Sequence, residues 1–406
     1  VDQALAQWRA ENCSGEQCRP MVLVATAGGG IRAAYWTGTL LGRLHDQVPG
    51  FDDFLFALSG VSGGAVGAAV YRALLGADGA PPVACGAMEA CAQAVLARDF
   101  LGPVAAALLH QDLLQRFLPL PVLPDRAAAL EAAWEAAVRE VSAGERSLSQ
   151  PLGGLGAGDG RPWPALFLNA TWVDNGRRIV ATNLRFDEQS GVAGEPFARS
   201  NDQLAVIGQD LKLSTAAHNS ARFPLVSPPG MWRDADGAIA GRLQDGGLFE
   251  NYGAETALDL LAAVCRQFTC ARDEVAFPSP ERPRLTPIVI LISSDPTLPP
   301  NLVESPSNPP ANFGYEIRST LRSFANTRSG RGAEAAARLA EQAGSIGRLV
   351  EFRMCRPTLD HQDPPLGWAL SQGARRTIEG YLGATACPGN AAAMIDVERW
   401  LRSGAP

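Results

Sequence analysis

Twice near its start the chain runs a short all-apolar segment into a glycine cluster and then into a helix-forming stretch. The first unit is Met21-Val22-Leu23-Val24-Ala25-Thr26, then Gly28-Gly29-Gly30, then a helix predicted over Arg32 to His45. The second runs Phe54 to Leu58 into Gly60-Val61-Ser62-Gly63-Gly64, followed by small residues from Ala65 to Val70 and a helix to about Leu75. Apolar runs without alternation read as strands covered on both faces. Two strand-loop-helix units in tandem imply parallel strands under helices, so both glycine loops leave the same edge of one sheet. That edge is where open α/β folds bind ligands.

The remaining segments fit around such a sheet. Residues 77–149 turn alanine- and leucine-rich with interrupting prolines, which predicts a helical insertion. Its leucines and Phe117 suit either ordinary packing helices or a lid meeting a lipid surface. Ala165 to Val173 and Arg177 to Thr182 flank Asp174-Asn175-Gly176, a hairpin signal. Pro287 to Ile292 is uniformly apolar and reads as another central strand. Proline-rich stretches flank it, and a helical region to about Gly347, a strand at Leu349 to Met354 and helices near Trp368 to Leu382 and Ala391 to Leu401 follow. At 406 residues the expectation is a segment over 1–19 and one α/β domain over 20–406, with 77–149 inserted.

A net charge of -7 gives no support to nucleic-acid binding, which needs a basic surface. Lys212 is the only lysine, an arginine bias that reflects a GC-rich bacterial genome rather than a mechanism. The eight cysteines form neighbouring couples: Cys13 with Cys18, Cys85 with Cys91, Cys265 with Cys270, and Cys355 with Cys387 as the remainder. Disulfides are the first reading, with buried free thiols and a metal as rivals; no couple has a zinc-knuckle spacing. Disulfides would put the domain outside the cytoplasm, periplasmic or membrane-anchored; free thiols would allow a cytoplasmic one. The chain opens at Val1 with no methionine or signal segment, as after leader removal or in an excerpt. No uninterrupted run of eighteen apolar residues occurs, so any membrane anchor is expected outside these residues.

The chemistry concentrates in three places. Ser62 sits in Gly-x-Ser-x-Gly between strand and helix, a turn that exposes a hydroxyl otherwise too weak to attack an ester. The loop Gly28-Gly29-Gly30 lies at a helix start, where backbone N–H groups lack acceptors. With the N–H of Gly63 they form a candidate oxyanion hole, whose single donors are worth on the order of 3 kcal/mol in the transition state. The same loop also fits a Gly-x-Gly-x-x-Ala dinucleotide fingerprint, but the acid expected after the second strand is missing, so no dinucleotide is expected. Asp245, in Asp245-Gly246-Gly247, is a candidate base; by itself it reads first as a turn with an Asx bond.

Taken together, in this order, the three elements resemble the patatin-like phospholipase family and, more loosely, the cytosolic phospholipases. The likeness runs from about Pro20 to about Gly253 and includes Ser214 to Pro224, similar to the family's small-residue helix leading to Phe-Pro. Two departures stand out: Thr26-Ala27 replaces a common Asp-Gly, and His218 replaces a common proline. The resemblance implies a three-layer α/β/α core with a mostly parallel sheet and ester hydrolysis by a Ser62-Asp245 dyad without cofactor or metal. Arg32 takes the family's arginine position, there to steady a lipid phosphate or to pin the loop. His218 either assists the dyad or is a packed histidine, and His45, His110 and His361 have no motif around them.

The expected activity is that of a lipid acyl hydrolase of phospholipase A or lysophospholipase type, acting on a lipid or membrane-surface ester. An acyltransferase using the same acyl-enzyme and a non-catalytic lipid-binding protein are the alternatives. Oligomeric state is not legible in the sequence.

Overall fold

The computed structural model describes residues 1–76, 79–115, 117, 123–156, 161, 163–186, 195–224, 226–233, 236–270, 278–297, 315–356 and 362–403. Among these, nine strands form the central sheet: β1 (Met21–Thr26), β2 (Leu55–Val61), β3 (Ala165–Trp172), β4 (Arg178–Thr182), β5 (Ser200–Asp202), β6 (Gly230–Arg233), β7 (Ile239–Asp245), β8 (Pro287–Thr297) and β9 (Arg348–Cys355). Their main order is β9-β8-β1-β2-β3-β4-β5, with β7 pairing both β3 and β6. The run from β9 to β3 is parallel; β4 and β7 join β3 antiparallel. The fold is therefore mixed α/β with a mostly parallel sheet, as the tandem strand-loop-helix units require.

Alternation along the central strands explains the three layers. Val22, Val24, Ile288, Ile290 and Ile292 join one core, while Met21, Leu23, Ala25, Val289 and Leu291 join another on the opposite face. Helices supply the outer layers: α1 (Asp2–Asn12), α2 (Gly30–Gln47), α3 (Gly63–Leu74), α4 (Met88–Leu96), α5 (Leu101–Ala107), α6 (Arg126–Val141), α7 (Leu213–Ser220), α8 (Ala254–Gln267), α9 (Tyr315–Ile346), α10 (Gln372–Gly380) and α11 (Pro388–Ser403). α2 and α3 cover the first core, α8 and α9 the second. α1 buries Trp8 edge-on to Phe56 and against Trp163, so residues 1–19 are packed onto the sheet rather than trailing from it.

The four cysteine couples close as disulfides: Cys13–Cys18, Cys85–Cys91, Cys265–Cys270 and Cys355–Cys387. Two of them hold a small second sheet at the edge of the domain, where Cys13–Ser14 pairs Gln17–Cys18 and Thr269–Cys270 pairs Arg284–Leu285. One expectation changes. The stretch Met88–Gln115 is long and apolar enough to cross a membrane by length and composition, although no contiguous apolar run announces it. It is broken after α4, whose Met88, Cys91, Ala92, Val95 and Leu96 belong to the core.

Candidate active site

The site is built on one edge of β3. β2 runs out at Val61, opposite Asn169, and β7 runs in from the other direction to end at Asp245, opposite Ala170. Two strands thus meet head to head beside adjacent residues of a third, and the residues at their ends, Ser62 and Asp245, are brought together. Ser62 Oγ donates to Asp245 Oδ2 at 2.7 Å. The Gly247 N–H donates to Asp245 Oδ1 at 2.8 Å, and Thr171 Oγ1 donates to the Asp245 carbonyl at 2.9 Å, so the carboxylate has one oxygen anchored and the other on the serine. Both residues are buried.

Ser62 adopts φ 51° and ψ -124°, a conformation non-glycine residues avoid, at the junction of β2 and α3. Neighbours hold it there. Its N–H donates to Ser220 Oγ at 2.9 Å, and Ser220 Oγ in turn donates to the Asn169 carbonyl. The Asn169 amide donates to the Gly60 carbonyl at 2.9 Å and to Ser59 Oγ at 3.1 Å. Gly63 is obligatory at this turn: a Cβ on it would sit 1.9 Å from the Gly30 carbonyl oxygen. The nucleophile turn and the glycine loop therefore touch backbone to backbone.

The structure sorts the expected oxyanion donors. Gly29 and Gly30 line the pocket, and Gly30 begins α2, where no preceding turn accepts its N–H. Gly28 also lines the pocket, but its N–H is already donated to the Asn251 carbonyl at 2.9 Å, so it is corrected from donor to wall. Gly63 packs against Gly30 rather than lining the pocket wall. Arg32 lines the pocket, lies 3.8 Å from Asp295 and donates to the Pro364 carbonyl at 3.2 Å. It ties residues near the pocket mouth to the end of β8 while its Nε, buried, has no hydrogen-bond partner among the described residues.

His218 is corrected as an auxiliary to the dyad. Its Nδ1 bonds Glu131 Oε1 at 2.9 Å and its Nε2 bonds Ser227 Oγ at 2.8 Å, so both ring nitrogens are committed away from Ser62 and Asp245. Burial, reinforced by the Arg222 charge and opposed by Glu131, pushes its pKa down to about 4. It is therefore neutral at pH 7, with Nδ1–H donating to Glu131 and Nε2 accepting from Ser227. Burial opposes ionisation of Glu131, but His218, Thr215 and Arg222 outweigh it and hold its pKa below the ordinary value. His45 bonds Asp52, and His110 stands exposed on the helical insertion. His361 lies outside the described residues.

Ser62 and Asp245 open into a pocket of about 390 Å³, walled by the glycine loop, Arg32, Asn251, Asp295, Phe223, Val226 and Leu366 to Trp368. A larger cleft of about 720 Å³ between the start of α1 and residues 183–186 and 195–197 contains neither Ser62 nor Asp245, so size does not mark the chemistry. Sequence reasoning gave no role to Asn169, Ser220, Asn251, Asp295 or Trp368, which carry no local signature of one.

No family model matches the chain, and no curated protein matches it. Among solved structures it is similar to VipD from Legionella pneumophila, at 11% identity and a TM-score of 0.32, over 95% of this chain and 67% of that one. It is also similar to human GIVD cytosolic phospholipase A2, at 12% identity and a TM-score of 0.39, over 100% of this chain and 65% of that one. The chain thus spans about two thirds of each neighbour's length. At TM-scores below 0.5 these likenesses carry no argument, and what the site can do follows from its own residues.

Proposed function

We propose that the chain is a lipid acyl hydrolase of phospholipase A or lysophospholipase type. The observation that carries this reading is the direct Ser62 Oγ to Asp245 Oδ2 hydrogen bond at 2.7 Å, opening on a pocket whose wall includes Phe223, Val226, Leu366 and Trp368. Ser62 Oγ attacks the ester carbonyl as Asp245 takes its proton. The carbonyl oxygen becomes the oxyanion, held by the N–H groups of Gly29 and Gly30, which line the pocket. Collapse of the tetrahedral intermediate breaks the bond to the alcohol, which leaves with the proton from Asp245. Water then attacks the acyl-enzyme carbonyl as Asp245 takes its proton, and collapse breaks the bond to Ser62 Oγ, which regains that proton from Asp245 as the fatty acid leaves. Arg32 and Asp295 present opposite charges at the same pocket, which suits a headgroup carrying both.

The disulfides support an oxidising compartment, outside the cytoplasm. The test is hydrolysis of a panel of phospholipids, lysophospholipids and p-nitrophenyl esters, with fluorophosphonate labelling. Labelling and turnover are expected in the wild type and absent in Ser62→Ala; a Ser62→Ala chain with full esterase activity overturns the reading. Since the base is a carboxylate, rate should fall in acid, and a flat profile from about pH 4 to 9 counts against Asp245 in that role. An added alcohol acceptor that captured the acyl group in place of water would make the chain an acyltransferase.

A further inference from the structure

α5 and the helical turns after it carry an apolar face that the other described residues leave exposed. Leu101, Leu108, Leu109, Leu113, Leu114 and Phe117 are all exposed, Leu109 by 65% and Phe117 by 81%. Scattered surface leucines need no explanation, but such a concentration in one short segment does. The segment is fastened to the pocket at both ends. Just before α5 the Phe100 N–H donates to the carbonyl of Trp368, and just after the apolar segment Arg126 Nε donates to the carbonyl of Val226. Trp368 and Val226 both line the Ser62 pocket, whose wall adds exposed Phe223 and Leu366.

Charge narrows the occupant. Between Leu101 and Phe117 the sequence has three ionisable side chains, His110, Asp112 and Arg116, and Asp112 is turned onto Arg126 in a mostly buried pair. Six exposed apolar side chains outnumber these charges, so hydrocarbon suits the face better than a charged partner does. The break after α4 directs the apolar stretch along the surface of the domain, with α4 held in the core.

We propose that this face seats the protein on an uncharged lipid surface, lying in the plane of the interface with the Ser62 pocket opening beside it. The proposal rests on the lipid-hydrolase reading for its purpose, yet it is testable without it. In flotation with phosphatidylcholine vesicles, the full-length Ser62→Ala protein is expected to bind equally at low and high salt. Adding Leu109→Glu and Leu114→Glu is expected to lower partitioning by about a hundredfold, roughly tenfold per leucine. In the Ser62 background, the same two changes should lower turnover of vesicle lipid in parallel. Turnover of soluble p-nitrophenyl butyrate and Tm should stay at wild-type values.

Equal flotation of the double variant overturns the proposal, as does binding that needs anionic vesicles and disappears in salt. It is equally overturned if the wild type elutes as a dimer that the substitutions dissociate and neither form floats, for then a second copy covers the face. The two readings fail separately. Soluble-ester turnover without flotation removes the surface and keeps the chemistry; leucine-dependent flotation without any esterase activity does the reverse.

Discussion

On either side of α7 stands an acid shielded from solvent and bonded to a neutral partner, and the two are put to opposite uses. Asp245 meets Ser62 at the wall of an open pocket. Glu131 meets His218, which is fully buried and stacked edge-on to Trp134. By residue type the second pair looks the more catalytic, since histidine with a carboxylate is the usual relay. Access decides otherwise. The His218 ring has no free nitrogen for a substrate, and its bonds join α6 to α7 and the turn at Ser227. A buried polar network with every member satisfied fixes position; a polar pair that opens on a cavity can react.

Breaking each pair separates the roles, and the dyad gives the largest effect. Ser62→Ala and Asp245→Asn are each expected to lower kcat/KM on p-nitrophenyl esters by about 10⁴-fold or more, with Tm little changed. His218→Ala is expected to leave kcat within about tenfold while lowering unfolding stability by roughly 3 kcal/mol, because it removes two buried hydrogen bonds and leaves a cavity beside Trp134. Urea titration with the same ester assay reads both. A His218→Ala protein as stable as wild type but catalytically dead would erase the distinction.

Ser220→Ala tests the link between the two regions. Ser220 lies two residues after His218 on α7 and accepts the Ser62 N–H. Its loss leaves that N–H unpaired in a strained turn, so kcat should fall by about tenfold with little change in KM. A fall in KM-dependent binding alone would point to the pocket wall instead.

What the sequence disclosed follows from the same contrast. Ser62, the glycine loop and the strands leading to them were legible because each is a local pattern in which backbone geometry dictates residue type. Asp245 was legible only as one part of an ordered set; its place beside Ser62 depends on β7 meeting β2 along β3, a pairing across 183 positions. Asn169 and Ser220 were not legible, because a buried asparagine and a helical serine have no signature until their distant partners are known. His218 misled through proximity. It shares a short segment with Ser220, but helical geometry turns successive side chains toward different neighbours. Gly28 is similar: sequence placed it in a row of donors, and Asn251 had already taken its N–H.

A comparison with no effect on turnover sets His218 against another buried group, Glu250, which follows the Asp245-Gly246-Gly247 turn. Burial pushes the Glu250 carboxyl up to about 7, against bonds from the Tyr252 and Glu255 N–H groups that favour its ionised form. For an acid raised on folding, the native state holds more protons than the unfolded one between about 4.5 and 7, so its contribution falls as pH rises through that window. His218 has the opposite sign. Its pKa is near 4 in the fold against an ordinary 6.5, so its contribution is full above 6.5 and is lost as pH falls toward 4. The two slopes oppose each other between about pH 4.5 and 6.5, each on the order of 3 kcal/mol across its full range. Glu250→Gln keeps an acceptor for the turn and removes one slope. Subtracting wild type from variant cancels every other titration, and the difference in unfolding free energy should climb from pH 4.5 to 7. A difference curve that stays level would mean that Glu250 ionises normally in the fold and does not offset the loss of stability that His218 imposes in acid.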